Sequence, residues 1–375
     1  MRFIASADWQ LGMTAHFLDD DARARYQRAR LDAIVRIGEV ADEHGAAFVL
    51  VCGDVFESNQ LDRAILARTF EALRAVHVPV VLLPGNHDPL DASSIYDADA
   101  FTQRVPEHVR VLRDSTPLEV VPGVEVVGAP WFSKRPAGDL VAAACAPLEA
   151  APDGIVRVIA GHGAVSTLAP DRDSVATIDV DALRRVVSDG RASFVVLGDR
   201  HSTTEVDERI RYPGTPEVTA RREEDPGNVL VVDLDGDAVT IEPVHVGRWR
   251  FTTVEARLDS ADDVDALERR LDELSDKDRT AVWLALGGTL STAAAARLDA
   301  MLDEKREVFA RLEHWARHTD LVVVPDGHDF ADLELGGFAR AALDELVERA
   351  AREGDDAAAA GDALGLLYRL AGGAR

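Results

Sequence analysis

Five short polar clusters in this chain could do chemistry: Asp8 with Gln10, Asp54, Asn86-His87-Asp88, His162, and Asp199 with His201. Carboxylates, imidazoles and amide oxygens together suit Mn²⁺, Fe²⁺ or Mg²⁺ better than a thiolate-bound structural zinc. A carboxylate shared between two ions would hold them roughly 3.5–4 Å apart, the spacing of two-metal phosphoryl hydrolases. In Leu82-Leu83-Pro84-Gly85-Asn86-His87-Asp88, an apolar strand runs into a tight turn that presents three polar side chains in a row. The Asn is a neutral oxygen ligand, the His can stand over a substrate, and the Asp can fix its tautomer. Any one of these residues alone reads as a solvated turn or a helix cap. Their shared position in the elements sets them apart.

Each cluster follows an apolar run. Residues 2–7 read as a buried strand ending at Asp8. Residues 22–44 place Tyr26, Ala29, Ala33, Ile37 and Val40 on one helical face. The run 47–51 is a second strand, closed by Gly53-Asp54-Val55-Phe56-Glu57. A helix carrying Leu61, Ile65, Phe70, Leu73 and Val76 leads to a third strand at 78–83. Strand, helix, strand, helix, strand at this spacing is a parallel α/β sheet, whose sites form at the carboxyl ends of the strands. Further on, 118–121 and 124–128 read as strands and 138–146 as a helix. The strand 155–160 delivers His162, Asp179 caps a helix running to Val187, and the strand 194–197 delivers Asp199 and His201. A hairpin follows at 228–233 and 238–244. Beyond residue 247 the pattern becomes a small α+β module: strand 250–258, helix 261–275, strand 280–286, long helix 291–313 and strand 320–324. Two terminal helices, 333–352 and 358–371, complete the chain. The expected domains are 1–247, 248–330 and 331–375.

Length, at 375 residues, suits two or three domains, and a hydrophobic content of 47% is enough for sizeable cores. The net charge of −26 excludes nucleic-acid binding by bulk charge, so any such binding needs local Arg clusters, bound cations or a partner. Two well-separated cysteines, Cys52 and Cys145, read as buried thiols in a reducing compartment. No signal peptide and no membrane-spanning run is visible, so the expected location is the cytoplasm, away from the membrane.

The order Asp-x-(His), Gly-Asp, Gly-Asn-His-Asp, Gly-His, Gly-(His)-x-His resembles the calcineurin-like metallophosphoesterases. The text around these motifs, including Gly53 to Glu57, Leu83 to Asp88, Leu197 to Ser202 and Tyr212-Pro213-Gly214-Thr215-Pro216, is similar to the SbcD-type DNA exonuclease subunits over about residues 1–245. The resemblance implies a two-layered β-sheet sandwich flanked by helices, with a small capping domain and C-terminal helices that dock onto an SbcC-like, SMC-family ATPase. It implies two divalent ions, Mn²⁺ first with Mg²⁺ or Fe²⁺ as alternatives. Asp8, Asp54 and His201 would hold the first; Asp54 would bridge to the second, which also takes Asn86 and His162. His87 would meet the scissile phosphate, oriented by Asp88, in an in-line hydrolysis of DNA. A homodimer through the helices at 22–44 or 59–76 also belongs to the family picture.

Two positions depart from that pattern. Gln10 stands where a first-metal His belongs and Asp199 where a second-metal His belongs. Both can still ligate, but the site gains a third carboxylate and loses two imidazoles. That favours Mn²⁺ or Mg²⁺ over Zn²⁺ and implies a slower or metal-choosier enzyme. Two other readings compete: a phosphodiesterase for small substrates, and a DNA-binding subunit whose metal site has weakened. Arg209, Arg221 and Arg222, just after the last motif, are candidate substrate contacts, with Arg211, Arg248 and Arg250 behind them; a solvated face balancing nearby acids is the competing account. Trp131 and Trp249 could stack on bases, but core packing fits them better. The remaining histidines read as surface or capping residues.

Overall fold

The computed structural model describes residues 1–169, 174–324 and 335–350, together with 359, 360, 363, 364, 366 and 367. By its internal contacts the chain divides into two compact units, Met1–Trp249 and Arg250–Arg375.

In the first unit the elements run β1 (Arg2–Ser6), α1 (Asp20–His44), β2 (Val49–Cys52), α2 (Arg63–Leu73), β3 (Val80–Leu83), α3 (Asp99–Thr102), β4 (Val109–Val111), β5 (Leu118–Val121) and β6 (Val124–Gly128). Then follow α4 (Leu140–Cys145), β7 (Val156–His162), α5 (Val180–Ser188), β8 (Phe194–Gly198), β9 (Thr204–Asp207), β10 (Ile210–Tyr212), β11 (Asn228–Asp235) and β12 (Ala238–His245). They form two six-stranded sheets, ordered β12-β11-β1-β2-β3-β4 and β5-β6-β7-β8-β10-β9. The strands β1 to β4 are mutually parallel, as are β6, β7, β8 and β10.

Strand alternation explains the layering. Phe3, Ala5, Phe48, Leu50, Cys52 and Leu83 turn inward and meet Val126, Val158, Ala160, Phe194 and Val196 of the other sheet. Phe3 stacks on Phe48 at 5.0 Å between ring centroids and meets Phe194 edge-on at 6.1 Å, which fastens the sheets together. The opposite face of the first sheet, with Ile4, Val49, Val51, Val80 and Leu82, is covered by Ile34, Ile37 and Val40 of α1 and Leu66, Phe70 and Leu73 of α2. On the second sheet Val127, Ile159, Val195 and Leu197 are covered by Val141 and Cys145 of α4 and Leu183 and Val186 of α5. The unit is therefore a two-layered sandwich with helices on both outer faces. Both cysteines are free and buried. Asp179 caps α5 as the sequence suggests, accepting from the amides of Asp181 and Ala182.

The second unit holds β13 (Arg250–Leu258), α6 (Ala261–Asp272), β14 (Thr280–Ser291), α7 (Thr292–Arg306), β15 (Arg311–His314), β16 (Asp320–Val324) and α8 (Gly337–Ala350). Its strand pairings are all parallel, with β13, β15 and β16 each paired to β14, so α6 and α7 are crossover helices. The long helix expected over 291–313 stops at Arg306. The residues after it switch to strand spacing, and Leu312 pairs with Val282 instead. Of the expected terminal helices, the first is α8, and most of 358–371 lies outside the described residues. Among the described residues no helix is long and apolar enough to cross a membrane.

Candidate metal centre

The five clusters sit where parallel strands end. Asp8 follows β1, Asp54 follows β2, Asn86 and His87 follow β3, His162 is the last residue of β7, and Asp199 and His201 follow β8. The first two loops are laced together by backbone hydrogen bonds from Asp8 N to Gly53 O (3.0 Å) and Gln10 N to Asp54 O (2.8 Å).

Asp8, Asp54 and His162 are all buried, with ligand-type atoms converging within 4.8 Å of one another. His162 Nε2 lies 2.7 Å from Asn86 Oδ1, 3.5 Å from Asp54 Oδ1 and 4.0 Å from Asp199 Oδ1. Its Nδ1 lies 2.9 Å from the Cys52 carbonyl, which accepts the Nδ1 proton and leaves Nε2 as the ligating atom. On the other side, His201 Nε2 is 3.8 Å from Asp8 Oδ1 and 3.3 Å from Gln10 Nε2. The Asp199 amide donates to both Asp8 oxygens at 3.1 Å.

Glycine makes this convergence possible. A Cβ on Gly198 would sit 1.7 Å from the Cys52 carbonyl oxygen and 2.6 Å from His162 Nδ1, and one on Gly53 would sit 2.0 Å from the same nitrogen. Backbone strain marks the same place. Among the described residues six non-glycines have left-handed φ, and four of them are candidate ligands: Asp8 (54°), Gln10 (43°), Asp54 (51°) and Asp199 (88°). Each such residue costs roughly 1–3 kcal/mol and persists where function holds it.

Electrostatics agree. Burial pushes the Asp8 carboxyl up to about 7, against the pull of His201 and His162. Burial would depress His162, yet Asp54, Asp8 and Asp199 carry it up to about 9. His201 also rises to about 9, burial being overcome by Asp8 and Glu223. Carboxylates this buried, with histidines raised around them, form a pocket of excess negative charge that a cation would neutralise. The donor set fits divalent metal on those grounds.

Several expectations are revised. Asp88 does not orient the His87 ring. Its oxygens accept from Gly85 N (2.7 Å), Phe56 N (3.0 Å) and Tyr96 Oη (2.6 Å), so it clamps the loop that carries Asn86 and His87. Burial beside Asp54 pushes its carboxyl up to about 6. His87 is oriented by the Glu57 carbonyl, 3.0 Å from Nδ1, which leaves Nε2 facing Asp54 Oδ2 at 3.9 Å. Arg209 is not at the site. Its guanidinium is bound to the carbonyls of Ser193, just before β8, and Asp237, at the end of the sheet away from Asp199. Arg221 and Arg222 stand on the turn beside His201, and Arg222 is exposed. Trp131 and Trp249 are buried; Trp131 donates from Nε1 to the His162 carbonyl, and Trp249 packs edge-on against Tyr26.

Thr219 and Glu223 were not foreseen from the sequence. Both meet His201 Nδ1, at 2.6 and 3.0 Å, and fix the ring with Nε2 toward Asp8. The only signal was a Thr and a Glu four residues apart after the Pro-Gly-Thr-Pro turn.

This sandwich, with its buried carboxylates and imidazoles at converging strand ends, is that of a metal-dependent phosphoester hydrolase. The calcineurin-like phosphoesterase family matches residues 1–203, more than half of the 375 residues, and the chain belongs to that family. No curated protein matches it. Among solved structures, a Thermus thermophilus protein aligns with a TM-score of 0.39 at 12% identity, covering 65% of this chain and 98% of that one. A dimetal phosphatase from Danio rerio aligns with a TM-score of 0.41 at 13% identity, covering 66% and 96%.

Proposed function

We propose that this chain hydrolyses phosphodiester bonds of DNA, as the nuclease subunit of a cytoplasmic repair complex with an SMC-family ATPase of the SbcC type. The observation that carries the reading is the combination of Gly53-Asp54-Val55-Phe56-Glu57 and Leu83-Pro84-Gly85-Asn86-His87-Asp88 with a fold that brings Asp54 and Asn86 to the same His162 nitrogen. The parallel module of β13 to β16 and the helix α8 supply the further units that a subunit of such a complex would use against DNA and partner. A second copy of the chain, docked through α1 or α2, belongs to the same proposal.

In this reading Asp8, Gln10, Asp54, Asn86, His162, Asp199 and His201 would hold two divalent ions, with Mn²⁺ favoured by the oxygen-rich set. Bound there, the ions supply Lewis-acid stabilisation of phosphoryl oxygens and an activated nucleophile at neutral pH. The chain's own residues do the rest. The Glu57 carbonyl holds the Nδ1 proton of His87, so Nε2 is the atom that exchanges a proton with the phosphoryl group or the departing oxygen. Asp88 and Tyr96 keep that loop in place, and Glu223 keeps His201 facing inward. Arg221 and Arg222 take flanking phosphates.

The test is cleavage of linear single- and double-stranded DNA by the purified chain with Mn²⁺, Mg²⁺ or EDTA, beside Asp54→Ala. Metal-dependent cleavage lost in the variant supports the reading. Hydrolysis of small phosphodiesters with DNA left intact, alone and with the ATPase added, overturns it.

A further inference from the structure

The metal centre opens on one side into a cavity of about 270 Å³. Asn86 and Asp199 form its inner wall, with Trp131, Lys134, Gly163 and Ala164 around them. That volume lies just under the usual range for small-molecule pockets, roughly 300–1,000 Å³. It suits one monomer of a polymer and not a folded duplex.

The segments that line it are unusual for this molecule. Among the described residues of the first unit, the exposed large hydrophobics are Phe132, Leu168 and Val175. Each is next in sequence to a residue lining this cavity: Trp131, Ala169 and Ser174 respectively. Cation placement points the same way. The chain has three lysines. Lys277 is tied to the carbonyls of Asp272 and Leu274, and Lys305 to the carboxylates of Asp272 and Glu268. Lys134 is exposed on the cavity wall, with no ion pair among the described residues. It faces the cavity that Asp199 lines, so it returns positive charge where the sequence has put a carboxylate in place of an imidazole.

We propose that this cavity seats one unpaired nucleotide beside the scissile phosphodiester, with Phe132 stacking on its base and Lys134 pairing with its phosphate. The inference rests on the nuclease reading and sharpens it: the substrate is a single-stranded end or a frayed terminus. Stacking on an exposed aromatic tolerates any base, which suits digestion without sequence preference. The third carboxylate also turns the centre away from dianionic monoesters toward monoanionic diesters.

The test compares the full chain with Lys134→Ala, Lys134→Arg and Phe132→Ala. Both positions are exposed, and unchanged thermal unfolding confirms that the variants fold. Steady-state cleavage of a short single strand in Mn²⁺ should show KM raised about tenfold by Lys134→Ala and by Phe132→Ala, with kcat changed far less, and Lys134→Arg close to wild type. Anisotropy of labelled oligothymidylate in EDTA should show the same loss of binding without turnover. Wild type should prefer the single strand over a blunt duplex, and Phe132→Ala should erase the preference. Cleavage by wild type with KM, binding and strand preference unchanged in the variants overturns this inference alone. Neither cleavage nor binding of DNA by wild type, alone and with the ATPase added, overturns the nuclease reading and this inference together.

Discussion

Protons should occupy the metal centre whenever metal does not, and the fold should report it. Take the chain in EDTA and raise the pH from 6 to 9. His162 has a folded pKa of about 9 against an ordinary 6.5, and His201 the same. Asp8 stands at about 7 against 3.8. All three bind their proton more tightly folded than unfolded. The stability each contributes is therefore complete below its unfolded pKa and is lost as pH rises through its folded one. For Asp8 the loss falls between about 4 and 7; for the histidines it falls between 6.5 and 9. The difference at His162 is worth about 3 kcal/mol, since one step of pKa is about 1.36 kcal/mol. His201, with a side chain 24% exposed, contributes less.

Urea unfolding of the metal-free chain at closely spaced pH values measures this directly. Stability should fall by about 3 kcal/mol or more between pH 6.5 and 9. Saturating Mn²⁺ should reverse the slope, because ions and protons compete for the same nitrogens. At pH 7.5, loading should release about two protons, read from calorimetric heats in buffers of different ionisation enthalpy. Asp8→Asn should flatten the metal-free profile by removing a carboxylate that raises both rings. A metal-free stability that is level or rises from pH 6.5 to 9 would refute the account of the site as a cluster of excess negative charge.

Glu223→Ala frees the His201 ring and should lower metal affinity and turnover about 10- to 100-fold, with Glu223→Gln intermediate, measured by metal titration and initial rates. Gln10→His with Asp199→His should move metal preference toward Zn²⁺; identical rates and preference in the double variant would sink the reasoning from ligand hardness. Gly198→Ala drives a methyl into the Cys52 carbonyl and His162, so it should cost upwards of about 3 kcal/mol and abolish metal binding, visible as a lower Tm that Mn²⁺ no longer raises. Tyr96→Phe leaves one oxygen of buried Asp88 without its 2.6 Å partner and should cost about 1–3 kcal/mol in denaturant unfolding.

Much of this was legible in the sequence, for a physical reason. Parallel strands buried on both faces are continuous apolar runs, and a polar residue directly after such a run has nowhere to sit but the strand end. Asp8, Asp54, Asn86, His162 and Asp199 were readable in that way, and α/β sheets gather strand ends along one edge. Contacts made by folding were not readable. Nothing local says that the Asp88 carboxylate belongs to Phe56 N and Tyr96 while a carbonyl from another loop aims His87. Arg209 looked close to the last motif along the chain, but β9 and β10 fold it back to the far end of β8. Those strands are four and three residues long, too short for periodicity to show.

The least legible feature is the backbone at the ligands themselves. Local preference puts Gly at left-handed φ, with Asn and Asp next, and the chain puts Asp8, Gln10, Asp54 and Asp199 there. Among the described residues six non-glycines take left-handed φ, and four of the six surround one buried centre. Stability alone would have removed that strain, because a glycine at any of them relaxes the backbone. What keeps a side chain at these positions is its oxygen. Carboxylates and an amide bent into the same few ångströms repel one another until a cation joins them, so the strain and the charge both follow from a site shaped for a cation. Gln10 and Asp199 share the strained geometry of Asp8 and Asp54. Residues drifting in a decaying centre would have no reason to hold that geometry, so we propose both as ligands of a remodelled one, a reading that the metal preference of Gln10→His with Asp199→His tests.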